Sequence, residues 1–178
     1  MDVTSATNRR TMIAATLPPL PCGNSAPILT TAVDPVTLTA SLNSVTYDAV
    51  ARARCGGLHL NYFVIEETPL PKPPLHPALL DKTISLLGVG AVAALVRDAV
   101  HELRPVAITD HERLRLRCML DAIVAVLYGL DRNDFAWILK DCDHPTTGLA
   151  DNAFCRRLDP KGFWRMAKDQ DPELRHTV

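Results

Sequence analysis

Arg52, Arg54, Gly56, Gly57, His59 and Asn61 crowd into one short stretch, R-A-R-C-G-G-L-H-L-N. Guanidinium forks and the backbone N–H groups of a glycine turn both suit phosphate oxygens. An asparagine amide pairs bidentately with adenine, and the nearby histidine reaches the same side. Arg9 and Arg10 add cations to a first half that has few acids. These residue types offer contact with DNA, not bond-making. A purely structural role competes with that reading, because arginines in a last helical turn favour the helix dipole without any ligand.

Other chemistries find little support. Glu66-Glu67 followed by Lys72 loosely resembles the acidic pair and lysine of a nuclease. Carboxylates are equally common where a strand ends on a solvated edge, and Mg²⁺ sites usually combine one or two carboxylates with substrate phosphates. No Gly-x-Ser-x-Gly is present. None of the histidines at 59, 76, 101, 111, 144 and 176 has H-E-x-x-H spacing. Cysteines 22, 55, 118, 142 and 155 are odd in number and form no C-x-x-C, so they read as reduced thiols rather than disulfides or a zinc site. Cys142 and His144 are two candidate ligands without a second pair. No catalytic residue and no metal site is expected. Arg113, Arg115, Arg117 and Arg132 read as a solvated basic face.

The elements that must position these residues follow from patterning. Residues 11–17 are β-type and stop at Pro18-Pro19, a first candidate strand. A turn around Gly23-Asn24 leads to a second over residues 26–33. Asp34-Pro35 is an N-cap with proline at the first helical position. Leu38, Leu42, Val45 and Ala49 then recur at helical spacing as far as Cys55, predicting one long helix. Gly56-Gly57 is its left-handed stop. Residues 58–68 alternate as a third strand, with Leu58, Leu60, Tyr62 and Val64 on one face. Five prolines at 69, 71, 73, 74 and 77 make residues 69–77 a stiff linker. A helix over 79–103 comes next. Thr109 and Glu112 form a capping box, before a stripe of Leu116, Met119, Leu120, Ile123, Val124 and Leu127. Gly129 stops that helix, and Asp131 caps a shorter one bearing Phe135, Ile138 and Leu139. A short turn between two amphipathic helices predicts an antiparallel pair.

Composition sets bounds on function. The 178 residues carry a net charge of −1, so any DNA-facing surface must be a local cluster. The apolar run over 83–96 is shorter than the roughly 20 residues a membrane helix needs, and no basic segment precedes an apolar run at the start. A cytoplasmic protein without membrane attachment is expected.

The Gly56-Gly57-Leu58-His59-Leu60-Asn61-Tyr62-Phe63 segment, followed by Leu70-Pro71, resembles the C-terminal target-recognition region of adenine-specific DNA methyltransferases of the type IIG restriction–modification and DISARM-like kind. Other pieces fall in the same order. They are Asn8 onward (N-R-R-T-M-I-A-A-T-L-P), Cys22-Gly23-Asn24-Ser25, Leu42-Asn43-Ser44 with Tyr47-Asp48 and Val50-Ala51-Arg52, Leu120-Asp121-Ala122, Leu127-Tyr128-Gly129-Leu130, and Asp134-Phe135. Gly162-Phe163-Trp164-Arg165 and residues 172–177 match a tail motif. The resemblance departs at the catalytic half. The glycine loop for S-adenosylmethionine is missing, and so is the Asn/Asp-Pro-Pro-Tyr/Phe tetrapeptide that grips a flipped adenine.

The resulting expectation is an α+β chain, a small mixed sheet with one long helix followed by a helical segment with an antiparallel helix pair. Its parts are a recognition-like region (1–68), the linker (69–77), a helical segment (78–142) and a poorly ordered tail (143–178). The resemblance implies double-stranded DNA and a methyltransferase catalytic domain or subunit as partners. It implies S-adenosylmethionine for the full-length family protein, with no cofactor and no methyl transfer in this chain alone. DNA contact is expected at Arg9, Arg10, Arg52, Arg54, Gly56, Gly57, His59 and Asn61. A split subunit, a fragment or a remnant would each fit. The competing reading is a protein-interaction module that docks to a methyltransferase or nuclease without touching DNA.

Overall fold

A computed structural model describes residues 3–4, 10–17, 21–23, 25–72 and 107–139. The expected helix over 79–103, the later part of the linker, the tail, Cys142, His144 and Arg9 lie outside these residues. Five helices are described: α1 (Pro35–Leu42), α2 (Val45–Arg54), α3 (Tyr62–Glu67), α4 (Asp110–Leu127) and α5 (Arg132–Leu139). Helix α2 is the hub and packs against each of the other four.

No sheet occurs among the described residues, which overturns the expected α+β class. The only strand-like pairing described is an isolated antiparallel bridge between Val3 and His59, beside a bond from the Thr4 N–H to the Leu58 carbonyl at 2.9 Å. Residues 11–16 carry β-type side chains, yet helix side chains meet their backbone. The Asp48 carboxylate accepts from the N–H groups of Thr11 (2.9 Å) and Met12 (2.7 Å). The Asn43 amide accepts from Ala14 N–H at 3.0 Å and donates to Ala14 carbonyl at 2.8 Å. The Thr16 hydroxyl bonds the Pro35 carbonyl and the Thr39 hydroxyl. Backbone groups need partners when buried, and here they find them without a neighbouring strand. Residues 25–33 also form no strand, and Ile28 and Leu29 stand exposed.

The expected long helix is two. Asp34 caps the first as predicted, its carboxylate accepting from Thr37 N–H at 2.7 Å, with Pro35 at the first position. Asn43 and Ser44 then break the run. Asn43 turns its side chain to Ala14 and to the Thr39 carbonyl, and Ser44 starts α2 by accepting from Tyr47 N–H at 3.1 Å. Short polar side chains that bond nearby backbone favour caps over helix interiors. The first amide of α2 is met from a distant part of the chain. The buried Asp121 carboxylate on α4 accepts from Val45 N–H at 2.7 Å.

The third expected strand is also helical in part. Leu60, Val64 and Thr68 are buried at a spacing of four, while Leu58 and Tyr62 are 68% and 56% exposed. Alternation would have put Leu58, Leu60, Tyr62 and Val64 on one face. The helical period wins because Leu60 and Val64 join Met12, Leu38, Leu42, Tyr47 and Ala51 in one apolar cluster. Burying such a side chain stabilises by about 1.5–3 kcal/mol, more than the β-propensity of a short run.

Both C-terminal helices form near where the patterning places them, and each packs on α2. Thr109 and Glu112 make the capping box, and the bonds from Thr109 hold the Glu112 carboxyl below its ordinary pKa. Gly129 adopts φ 77°, with Gly129 N–H bonded to Val126 carbonyl and Leu130 N–H to Ala125 carbonyl, the Schellman pattern. Asp131 accepts from the N–H groups of Asn133 and Asp134. Leu120 and Val124 bury against Ala40 of α1, and Leu139 against Val45 of α2. Helices on both sides of the proline stretch therefore share α1 and α2 as their base. The Tyr128 hydroxyl reaches across to donate to the Pro69 carbonyl at 2.7 Å. Desolvation raises the Tyr128 phenol above its ordinary pKa, and the neighbouring Tyr47 adds to the shift. Burial also raises Tyr47, and the nearby Thr68 hydroxyl, itself bonded to the Val64 carbonyl, offsets part of that.

Asp48→Ala should remove the acceptor shared by the Thr11 and Met12 N–H groups and by the buried Arg52 guanidinium. A loss of about 3–5 kcal/mol is expected, as for other broken buried pairs. Urea unfolding followed by circular dichroism measures it, and a change below 1 kcal/mol would show that the segment at 11–16 is held by other means.

Candidate functional site

The arginines of the predicted DNA-contact set are placed very differently. Arg52 is only 5% exposed, and its guanidinium donates to Asp48 at 3.0 Å one turn earlier in α2. The carboxylate that fixes residues 11 and 12 also takes this cation, so Arg52 faces inward. Arg10 is half-buried, and its Nη1 is buried without a hydrogen-bond partner. Arg54, two residues beyond Arg52, points outward. It pairs with Glu67 at the end of α3 at 3.1 Å, both side chains well exposed. An exposed pair of this kind contributes little stability, of order 0–1 kcal/mol, and opens readily.

The remaining predicted residues come together. Arg54, Gly56, Gly57, His59 and Asn61 line one open hollow of about 260 Å³, with Leu58, Phe63 and Val64. The loop that forms it leaves α2 at Cys55 and enters α3 at Asn61. Buried Cys55 lies beneath, its thiol directed at the carbonyls of Gly57 (3.6 Å) and His59 (3.8 Å). The pairing of residues 3 and 4 with 58 and 59 braces the loop from the other side.

The two glycines behave differently from expectation. Neither takes the left-handed conformation predicted for a helix stop, and α2 ends instead at Cys55 with φ −79° and ψ 89°. A Cβ added at Gly56 or Gly57 would meet nothing within 4 Å. Neither backbone angle nor internal packing demands glycine at either position. The backbone at both positions is open to the surroundings.

Patterning missed Leu58 and Phe63 as parts of this face. It assigned them to opposite sides of a strand, whereas Leu58 and Phe63 both stand on the rim, 68% and 54% exposed. The available signal was Tyr62-Phe63 beside Glu66-Glu67, a spacing that gives one exposed helical side. Among the described residues no group of three or more His, Cys, Asp or Glu could hold a metal ion. Cys22, Cys55 and Cys118 are not in disulfides among the described residues. No described helix is long and apolar enough to cross a membrane. The chain matches no protein-family model, no curated protein and no solved structure.

Gly56→Ala and Gly57→Ala should leave the fold intact or stabilise it by about 0.4–1 kcal/mol, through a less mobile unfolded chain. Gly129→Ala, at positive φ, should destabilise by roughly 1–2 kcal/mol. Thermal unfolding of the three variants checks the contrast. A marked loss at Gly56 or Gly57 would mean that the loop itself needs glycine.

Proposed function

We propose that this chain is the DNA target-recognition portion of an adenine-specific DNA methyltransferase of restriction–modification or phage-defence type. It presents double-stranded DNA to a catalytic domain or subunit that binds S-adenosylmethionine, in the cytoplasm. The 178 residues contain neither the cofactor loop nor the Asn/Asp-Pro-Pro-Tyr/Phe tetrapeptide, so they do not fit that cofactor, and no transfer step is assigned to them.

The observation that carries this reading is the hollow, where Arg54, Gly56, Gly57, His59 and Asn61 meet beside bare glycine backbone. A guanidinium and an accessible main chain suit phosphate oxygens, and amide and imidazole groups suit base edges. The family resemblance adds support. Its widely separated pieces are those that interlock here: Asp48 with Thr11 and Met12, Asn43 with Ala14, and Asp121 with Val45.

Arg54 shares its guanidinium with Glu67, and Glu66 lies beside Glu67 in sequence, so carboxylates compete with phosphate there. The chain alone should therefore bind DNA weakly and with strong salt dependence, each neutralised phosphate contributing a slope of roughly 0.9 in log K against log salt. In anisotropy titrations of the whole chain with a labelled mixed-sequence duplex, Arg54→Ala should weaken binding and flatten that slope by about one contact. Glu67→Gln should strengthen binding by freeing Arg54. If Arg113→Ala with Arg115→Ala weakens binding more than Arg54→Ala, the DNA face is on α4.

One observation favours the competing reading of a protein-interaction module. Leu58, Tyr62 and Phe63 are all exposed within six residues of the chain, and exposed apolar side chains gathered together are a feature of surfaces that meet a protein partner. That reading predicts no duplex binding even at low salt, and loss of capture of a methyltransferase catalytic domain on Phe63→Ala.

A further inference from the structure

We infer that Tyr128 is a positioning residue for the hollow. By holding Pro69 it keeps the end of α3, and with it Glu67, against Arg54, so the fold itself restrains the cation offered to DNA. The inference rests on the DNA reading above and gives that site a restraint set from the C-terminal helices.

Helix α3 depends on outside holds. It has six residues, and so short a helix is marginal in water without tertiary contacts. Val64 anchors its middle in the core. The holds on its far end follow one another along the chain. The Val64 carbonyl accepts from the Thr68 N–H at 3.1 Å and from the Thr68 hydroxyl at 2.6 Å. Thr68 is buried and ends the helix with φ −80° and ψ 116°. The carbonyl of the next residue, Pro69, accepts from the Tyr128 hydroxyl at 2.7 Å. Pro71, two residues further on, is buried.

Tyr128 is itself firmly placed, 59 residues beyond the proline it holds. It closes α4, its N–H bonded to the carbonyls of Val124 and Ala125. Its ring packs on the cluster of Ala40, Leu120 and Val124, which joins α4 to α1. A proline stretch that reads as a spacer in the sequence is therefore tied down at its first residue.

Glu67 is the last residue of α3, two before Pro69. Its carboxylate takes Arg54 at 3.1 Å, although the two side chains are 63% and 41% exposed. Two long exposed side chains hold each other weakly. What keeps the carboxylate near is the backbone that carries it, and fixing Pro69 fixes that backbone. Arg54 shares the hollow with Phe63 and Val64 of the same helix. A phosphate that approaches Arg54 thus meets a carboxylate on a helix end that Tyr128 holds in place.

The test uses the whole chain, Tyr128→Phe, Glu67→Gln and the double variant. Tyr128→Phe keeps the ring and removes the donor. In amide nitrogen–proton spectra without DNA, it should move the signals of Glu66, Glu67 and Thr68 and also that of Arg54. In anisotropy titrations with the labelled duplex at low salt, it should strengthen binding by up to roughly fivefold, the most that release of an exposed ion pair gives. In the Glu67→Gln background the same change should add nothing, because the carboxylate it holds is gone. An equal gain in both backgrounds, or weaker binding in Tyr128→Phe, overturns the inference and leaves the DNA reading standing. Unmoved signals at Arg54 and Glu67 do the same. Loss of the helical circular-dichroism signal in Tyr128→Phe assigns the hydroxyl to the whole fold rather than to the site and also overturns it. Failure of the wild type to bind any duplex overturns both.

Discussion

The structure depends on one buried carboxylate. Asp48 is wholly inaccessible and accepts from the N–H groups of residues 11 and 12 and from the Arg52 guanidinium. Taking two charges out of water is costly, and well-packed apolar residues often stabilise as much. The pair provides position. An extended segment with unpaired backbone must lie at one place and register along α2, because only there do two consecutive amides meet an acceptor. Asn43 repeats the device three residues further along the segment, matching both the donor and the acceptor of Ala14. Asp121 applies it a third time, tying α4 to the first amide of α2.

Fixing α2 in this way fixes the candidate site. Arg52 and Arg54 lie two residues apart in its last turn but point apart. The inner one closes the Asp48 network, and the outer one reaches the hollow and Glu67. The loop from Cys55 to Asn61 is bounded by α2 before it and α3 after it, and it is supported by the Cys55 thiol and by residues 3 and 4. The candidate face is thus a short loop set between α2 and α3, with the backbone of its two glycines open to the surroundings.

Much of this was legible in the chain where a local rule applied. The caps at Asp34, Thr109 and Asp131, the glycine stop at 129 and the stripe containing Leu120 and Val124 follow from side-chain chemistry within one or two turns. The gathering of Arg54, Gly56, Gly57, His59 and Asn61 was legible because the residues are adjacent. The errors arose where distant partners decide. Residues 11–16 look like a strand, since β-type side chains signal an extended backbone and say nothing of what bonds it. Residues 62–67 look like a strand until Val64 is seen to share a core with Met12 and Leu38. Arg52 looked available because its carboxylate, one turn away on the same helix, is buried only after residues 11 and 12 arrive.

We propose that the loop between α2 and α3 is where this chain meets double-stranded DNA. Backbone hydrogen exchange of the whole chain, with and without duplex at low salt, tests it most directly. Slowed exchange at Gly56, Gly57, His59 and the first residues of α3, with α4 unaltered, is the predicted result. Slowing confined to α4 around Arg113 and Arg115, or none anywhere while DNA is bound, would contradict it.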